Sequence, residues 1–328
     1  MTHLSVVIPV LNEVALIEEL INRVKLNVKK ITSDFEIIIV DDGSKDGTWQ
    51  KIKTAGTTEE RIKGIKFSRN FGHHFAITAG LQKAKGDWVV VMDGDLQDRP
   101  EVIPDLYRKA LEGFDGVFVL RQERQEKFAY LFTQRLFYLI LNLLSGIDFD
   151  YRKANFSIIS RKVVDAFKQF HEYSRFYGST IKWLGFEYAE IRAVHGTRFA
   201  GKSSYSIKSR MKLASDIIFS FSDRPLKYSI VIGLLISCTS VLSSIWIAIS
   251  ALRWGYSVVG WASVMTIILF VSGIMLIMIG IVGIYIGRIF QEVKNRPKYI
   301  SGELMNLEAL DNQYQNNETR NKNDSLKN

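Results

Sequence analysis

Asp93 and Asp95 stand two apart at the end of an apolar run, residues 89–92, with Gly94 between them and Asp98 close behind. On extended backbone, residues at this spacing share one face. Gly94 would let a ligand approach the main chain closely. Hard divalent cations take oxygen ligands, and Mg²⁺ commonly combines one or two carboxylates with substrate phosphates. Two carboxylates are too few for a closed protein cage but suit an ion that also holds a diphosphate. The competing reading is a solvated acidic turn, and Asp98 is the residue that best fits it.

A second pair, Asp41 and Asp42, opens the stretch "VDDGSKDGT". Asp-Gly steps are good turn formers, and acids at a strand exit can hydrogen-bond a ribose or a base. No G-x-G-x-x-G follows any early strand, which argues against a dinucleotide-binding oxidoreductase. His73 and His74 open a helical pattern and lack partners at metal-ligand spacing. They read as surface or capping residues.

The elements that must position these acids alternate along residues 1–120. Apolar runs at 4–10, 35–44, 62–72 and 87–95 read as strands, and the segments 14–28, 47–55 and 73–84 as helices. Continuous apolar strands alternating with helices predict an α/β layer with a mostly parallel sheet. Ligands of such sheets bind beyond the carboxyl ends of the strands, where Asp41, Asp42, Arg69, Asn70, Asp93 and Asp95 all fall.

No charged residue occurs between Tyr228 and Leu252, or between Trp254 and Gly287. Each run exceeds the roughly 20 residues that span a bilayer. Two spans are expected, at about 228–250 and 262–286, joined by a short link whose only charge is Arg253. Basic residues flank both outer ends: Arg224 and Lys227 before, Arg288, Lys294, Arg296 and Lys298 after. The positive-inside rule then puts both ends and the α/β part in the cytoplasm of a multi-pass protein. Segments 127–144 and 207–222 are apolar with embedded basic residues and read as interfacial or core helices. The formal charge of +9 includes a basic block between Arg192 and Lys227, before the first span. It points to anionic lipid rather than nucleic acid. Cys238 is the single cysteine, so no intrachain disulfide forms. The tail from Ser301 is polar and Asn-rich and is expected to lack fixed structure.

In order, "VVIPVLNE", "FEIIIVDDGSKDGT", "FSRNFGHHFAITAGL", "VVVMDGDLQDRPE", "RQER" and "RFAGKSSY" resemble the family 2 glycosyltransferases. The branch they resemble moves sugars onto polyprenyl phosphates and includes dolichol-phosphate mannose synthase and bacterial undecaprenyl-phosphate glucosyltransferases. The likeness covers about residues 4–225, and the two-span tail is similar to the bacterial members. It implies a GT-A (Rossmann-like) catalytic domain over 1–205, a juxtamembrane amphipathic helix over 206–225, a transmembrane hairpin over 226–290 and a cytoplasmic tail over 291–328.

The resemblance also implies an inverting hexose transfer, glucose favoured, from a UDP-sugar (or a GDP-sugar) to undecaprenyl phosphate at a bacterial cytoplasmic membrane. A homo-oligomer, with a tetramer among the options, is implied as well. Carried over by position, Pro9, Leu11, Glu13, Asp41 and Asp42 would line the nucleoside pocket, with Asp93 also on the donor. Asp93, Asp95 and Gln97 would hold Mg²⁺ or Mn²⁺. Arg121 and Arg124 would face phosphates, and Arg198, Lys202 and Ser203 the acceptor phosphate.

Three positions depart from the pattern. Leu11 stands where many members have Tyr, and Ser204 where many have Lys, with Lys202 nearby. Asn155 stands where members commonly have the Asp proposed as catalytic base, and an amide cannot take a proton in that role. A lipid phosphate has a second pKa near ~6 by analogy with phosphorylated side chains, so it reaches the site already ionised and needs positioning more than a base. Two alternatives stay open: transfer to a sugar hydroxyl, and an inactive scaffold that binds nucleotide sugar or lipid phosphate.

Overall fold

The computed structural model describes residues 3–121, 153–170, 176–193, 218, 222–254 and 260–307. Its centre is a sheet of eight strands: β1 (Leu4–Val10), β2 (Phe35–Asp41), β3 (Ile62–Phe67), β4 (Trp88–Val91), β5 (Gly116–Arg121), β6 (Lys153–Ser160), β7 (Tyr188–Ala193) and β8 (Ser301–Met305). Their order across the sheet is β7-β5-β6-β4-β1-β2-β3-β8. Pairs β1–β2, β1–β4, β2–β3 and β5–β7 are parallel. β6 runs against both β4 and β5, and β8 against β3. The expected α/β architecture with a mostly parallel sheet is therefore present.

β1 and β2 are buried along their whole length, as strands covered on both faces must be. On one face lie α1 (Ile17–Val28), α2 (Thr48–Thr58) and α4 (Ile103–Ala110). On the other lie α3 (His73–Lys83), α5 (Arg161–Lys168) and α6 (Tyr177–Trp183). α1 shows how sequence selects the face: Ile17, Leu20, Ile21, Val24 and Val28 are buried at helical spacing, while Glu18 and Glu19 sit in its first turn, where carboxylates favour the dipole.

Pro9 lies in a central strand, where a residue without an N–H is normally excluded. Val7 O accepts the N–H of Met92 and Val10 O that of Asp42. Alternation turns residue 9 toward β4, and β4 has already ended at Val91, the partner of Val7. Beyond that pair the β1–β4 ladder ends, at the carboxyl ends of the parallel strands, where an open α/β sheet has its ligand crevice.

Two long helices follow, α7 (Arg224–Trp254) and α8 (Trp261–Val293). Both are long and apolar enough to cross a membrane, and those stretches are not buried against the rest of the protein. Each outruns its expected span, and Arg253 lies in the last turn of α7 rather than in a link. Segments 127–144 and, apart from residues 218 and 222, 207–222 lie outside the described residues.

The expectation that the chain from Ser301 lacks fixed structure fails for residues 301–305. Short as it is, β8 is held by more than ladder bonds. Glu303 accepts from the buried Trp49 indole at 2.9 Å and pairs with Lys53 at 2.6 Å. Asn306 Nδ2 donates to Gly56 O and Ile62 O at 2.8 and 2.9 Å. Tyr299 stacks on Phe67 and donates to Gln82 at 2.5 Å. Removing residues 301–328 strips the Glu303 and Asn306 contacts and exposes the edge of β3. The melting temperature of the detergent-solubilised chain should fall by at least ~5 °C, followed by intrinsic tryptophan fluorescence.

Candidate active site

Three loops leave the carboxyl edge around the crevice, and their main chains lock together. After β1, Asn12 adopts φ 56°, a left-handed conformation that asparagine tolerates. Its N–H donates to Ser44 Oγ at 2.8 Å and its Oδ1 accepts from Lys45 N at 3.0 Å. Glu13 N donates to Thr48 Oγ1 and Val14 N to Asp46. The "DDGSKDGT" turn residues thus clamp the loop that carries Leu11 and Glu13.

Asp41 and Asp42 are both buried, with different duties. Asp42 accepts from Phe71 N at 2.7 Å and Gly72 N at 2.9 Å, tying β2 to the loop before α3. Burial raises its pKa against the pull of these two N–H groups. Its carboxylate is therefore committed to the protein rather than to an open pocket. Asp41 Oδ1 accepts from Ser44 N at 2.9 Å, and its Oδ2 is buried with no hydrogen-bond partner among the described residues. A buried acceptor left in this state is where a ligand's N–H or O–H is wanted.

Asp93 and Asp95 lie at the carboxyl edge, but the strand does not continue through both. β4 ends at Val91, a turn begins at Gly94, and Leu96 is left-handed at φ 58° with its side chain buried. Backbone strain of this kind concentrates at functional sites. Gln97 N donates to Asp95 Oδ1 at 3.1 Å, and Asp93 N to the buried Asp98 at 3.2 Å. Asp98 is thus the turn residue expected, folded inward to brace the loop. Gly94 has another reason than ligand approach: a Cβ there would sit 2.6 Å from Val10 Cγ1 and 3.1 Å from Pro9 O. Packing against β1 demands the glycine.

The histidines were misjudged from sequence. His73 Nε2 lies 3.2 Å from Asp93 Oδ1 and 3.1 Å from Asn155 Nδ2. Burial works against charge on His73, but Asp93, with help from Asp42 and Asp98, raises its pKa. Burial and the neighbouring His73 push His74 down to about 3, so it stays neutral and accepts from Tyr177 N at 3.4 Å. Ser157 joins Asn155 O at 2.9 Å to Tyr177 Oη at 2.8 Å. The signal available in sequence was position: both histidines start the helix after the third parallel strand, at the ligand edge.

Pro9 is buried, Leu11 is exposed and Glu13 half-buried beside the crevice. Arg121 ends β5 at the same edge, since β5 runs parallel to β4 through their shared partner β6. Arg124, Arg198, Lys202, Ser203 and Ser204 lie outside the described residues. Among the described residues no three His, Cys, Asp or Glu side chains form a ready metal cage. The two hard carboxylates at the crevice suit an ion that takes further oxygens from a ligand.

Residues 5–168 match the family described as glycosyl transferase family 2. The chain belongs to that family. Among its relatives, the uncharacterized glycosyltransferase YkcC of Bacillus subtilis (strain 168) is 38% identical over 90% of this chain and 92% of its own. The bactoprenol glucosyl transferase of Shigella phage SfII is 37% identical over 90% and 96%. The undecaprenyl-phosphate 4-deoxy-4-formamido-L-arabinose transferase of Shewanella sediminis (strain HAW-EB3) is 30% identical over 93% and 93%. A crystal structure of glucosyl-3-phosphoglycerate synthase from Mycobacterium tuberculosis with Mn²⁺, UDP-glucose and phosphoglyceric acid shares the fold. Its TM-score is 0.50 at 19% identity, over 68% of this chain and 79% of that one. This family 2 enzyme is a glycosyltransferase with a GT-A fold.

Gly43 holds the donor-side loops at close range: it has φ 80°, and a Cβ would lie 2.5 Å from the Arg69 carbonyl carbon. Gly43→Ala should cost about 1–3 kcal/mol. The check is a drop in melting temperature together with weaker nucleotide-sugar binding by calorimetry.

Proposed function

We propose that this glycosyltransferase moves a hexose, glucose in first place, from a UDP-sugar to undecaprenyl or another polyprenyl phosphate, with inversion at the anomeric carbon. The observation that carries the reading is a coincidence at one sheet edge. The acidic crevice lies at the carboxyl ends of the parallel strands. The chain arriving from α8 joins the sheet at that same edge, where Ser301 pairs with Phe67 at the end of β3. An enzyme built this way keeps its crevice on the side of its apolar helices. The bactoprenol and undecaprenyl-phosphate transferases among its relatives support the acceptor class. The basic flanks of the two helices favour a multi-pass protein of a bacterial inner membrane with its catalytic part in the cytoplasm.

In this reading the open Oδ2 of Asp41 accepts from the base or ribose of the donor, beside Pro9, Leu11 and Glu13. A phosphate oxygen of the lipid attacks the anomeric carbon, the bond to the donor diphosphate breaks, and the electron pair leaves with UDP. The nucleophile is already ionised, so Asn155 has no proton to remove. When bound, Mg²⁺ or Mn²⁺ on Asp93, Asp95 and Gln97 would neutralise charge on the diphosphate. Arg121 and Arg124 would face phosphates, and Arg198, Lys202 and Ser203 the lipid phosphate, for which the planar arginine fork is well suited.

The test is label transfer from UDP-glucose to undecaprenyl phosphate by the full chain in detergent. An acid-labile lipid phosphosugar is expected, abolished by EDTA and lowered roughly a hundredfold or more by Asp95→Ala. Undiminished activity of that variant would remove the metal assignment. Label in an acid-stable glycoside would favour a hydroxyl acceptor. UDP-glucose binding with no turnover would favour the scaffold.

A further inference from the structure

Arg99 and Arg192 have no part in the chemistry above, yet they line one cavity of about 360 Å³. That volume falls within the range of small-ligand sites. Its floor is apolar, made by Val102, Ile191 and Ala193, and Glu101 and Asp105 complete the wall. β7 runs parallel to β4 through β5 and β6, so it ends at the same carboxyl edge. Three strand spacings, ~14 Å in all, separate the two strands. The cavity is therefore a place apart from the acidic crevice, on the flank of the same edge.

Both walls are built from fixed elements. β7 pairs with β5 as far as Ala193, with Arg192 opposite Leu120. Facing it are the 3₁₀ turn Pro100–Val102 and the first turn of α4, anchored by the buried Ile103 and Leu106. The two acids already have cations of their own. Glu101 accepts from Arg23 of α1 at 2.9 and 2.8 Å, and Asp105 pairs with Arg108 at 3.1 Å. Arg99 and Arg192 are exposed and form no salt bridge with any described residue. Two guanidinium groups on one cavity repel each other, and an anion between them relieves that repulsion.

We propose that this cavity binds the phosphate group of a lipid, at a site separate from the acidic crevice. Planar guanidinium forks match pairs of phosphate oxygens. The apolar floor suits the first carbons of a phosphate ester, which inorganic phosphate lacks. Arg192 is also the first residue of the basic block that leads to α7, so the site lies at the start of the segment that returns the chain to its apolar helices. An acceptor lipid phosphate and the headgroup of a bilayer phospholipid carry the same group. The site does not depend on which lipid receives the sugar.

The experiment uses the full chain in phosphatidylcholine nanodiscs and the double variant Arg99→Gln/Arg192→Gln, whose folding is checked by its melting temperature without added anion. Inorganic phosphate at constant ionic strength should raise the melting temperature of the unaltered chain by ~2 °C or more, and the double variant should lose this gain. Two further arms identify the lipid. A roughly tenfold rise in KM for undecaprenyl phosphate in the double variant, with donor KM unchanged, marks the acceptor. Unchanged acceptor KM, with loss of a stabilisation that added phosphatidylglycerol gives the unaltered chain, marks a bilayer headgroup. No phosphate gain in the unaltered chain, or the same gain in the double variant, overturns the site. A phosphate gain with neither lipid effect overturns the lipid assignment. Failure of the unaltered chain to glycosylate any lipid phosphate would remove the proposed function and leave the melting arms to decide this site.

Discussion

The end of the β1–β4 ladder is the constraint on which the site depends. Two parallel strands in register have no reason to stop pairing while both can exchange hydrogen bonds. Pro9 removes one donor on the side facing β4, just after Val7 takes the last bond from Met92. On its other side β1 stays bonded to β2 as far as Val10 and Asp42. The ladder ends between neighbouring strands whose connections run in opposite directions across the sheet, which is where open α/β sheets bind ligands. Gly94 packs there against Val10 and Pro9, and Leu96 accepts a left-handed backbone to complete the turn.

Around this point the chain concentrates acid. Asp41, Asp42, Asp93, Asp95 and Asp98 share one edge, and carboxylates so close repel unless each is occupied. The protein resolves this by giving most of them main-chain donors: Ser44 for Asp41, Phe71 and Gly72 for Asp42, Gln97 for Asp95, and Asp93 N for Asp98. His73 supplies a side-chain partner for Asp93. The acids therefore do two jobs at once: they knit three loops into one rigid rim, and they leave oxygen atoms for a ligand.

Much of this was legible in sequence because the signals are local. Long apolar runs fixed the central strands, and a run of acids after each marked the ligand edge. Boundaries slipped where the acid-rich ends were read as strand, as after Val91, because turn geometry at Gly94 and Leu96 depends on packing against β1. Gly94 itself was assigned to a ligand when Val10 occupies its space. The histidines escaped notice because their partners, Asp93 and Asn155, are distant in sequence and meet only through the sheet order. β8 escaped for a different reason: five residues in a polar tail carry no periodic signal, and their stability comes from Trp49, Lys53 and Gly56, far earlier in the chain.

That last strand also sets an order of assembly. The sheet is begun by residues near the amino terminus and finished by residues that follow both long apolar helices. Ribosomes release the chain in sequence, so the edge of β3 must wait, open, until α7 and α8 have emerged. Residues 294–300, which can stretch no more than ~25 Å, then bring the closing strand home. Completion of the catalytic sheet is thereby made conditional on the helices having been synthesised, and an enzyme whose acceptor is a lipid would be finished last at the place where that lipid is found.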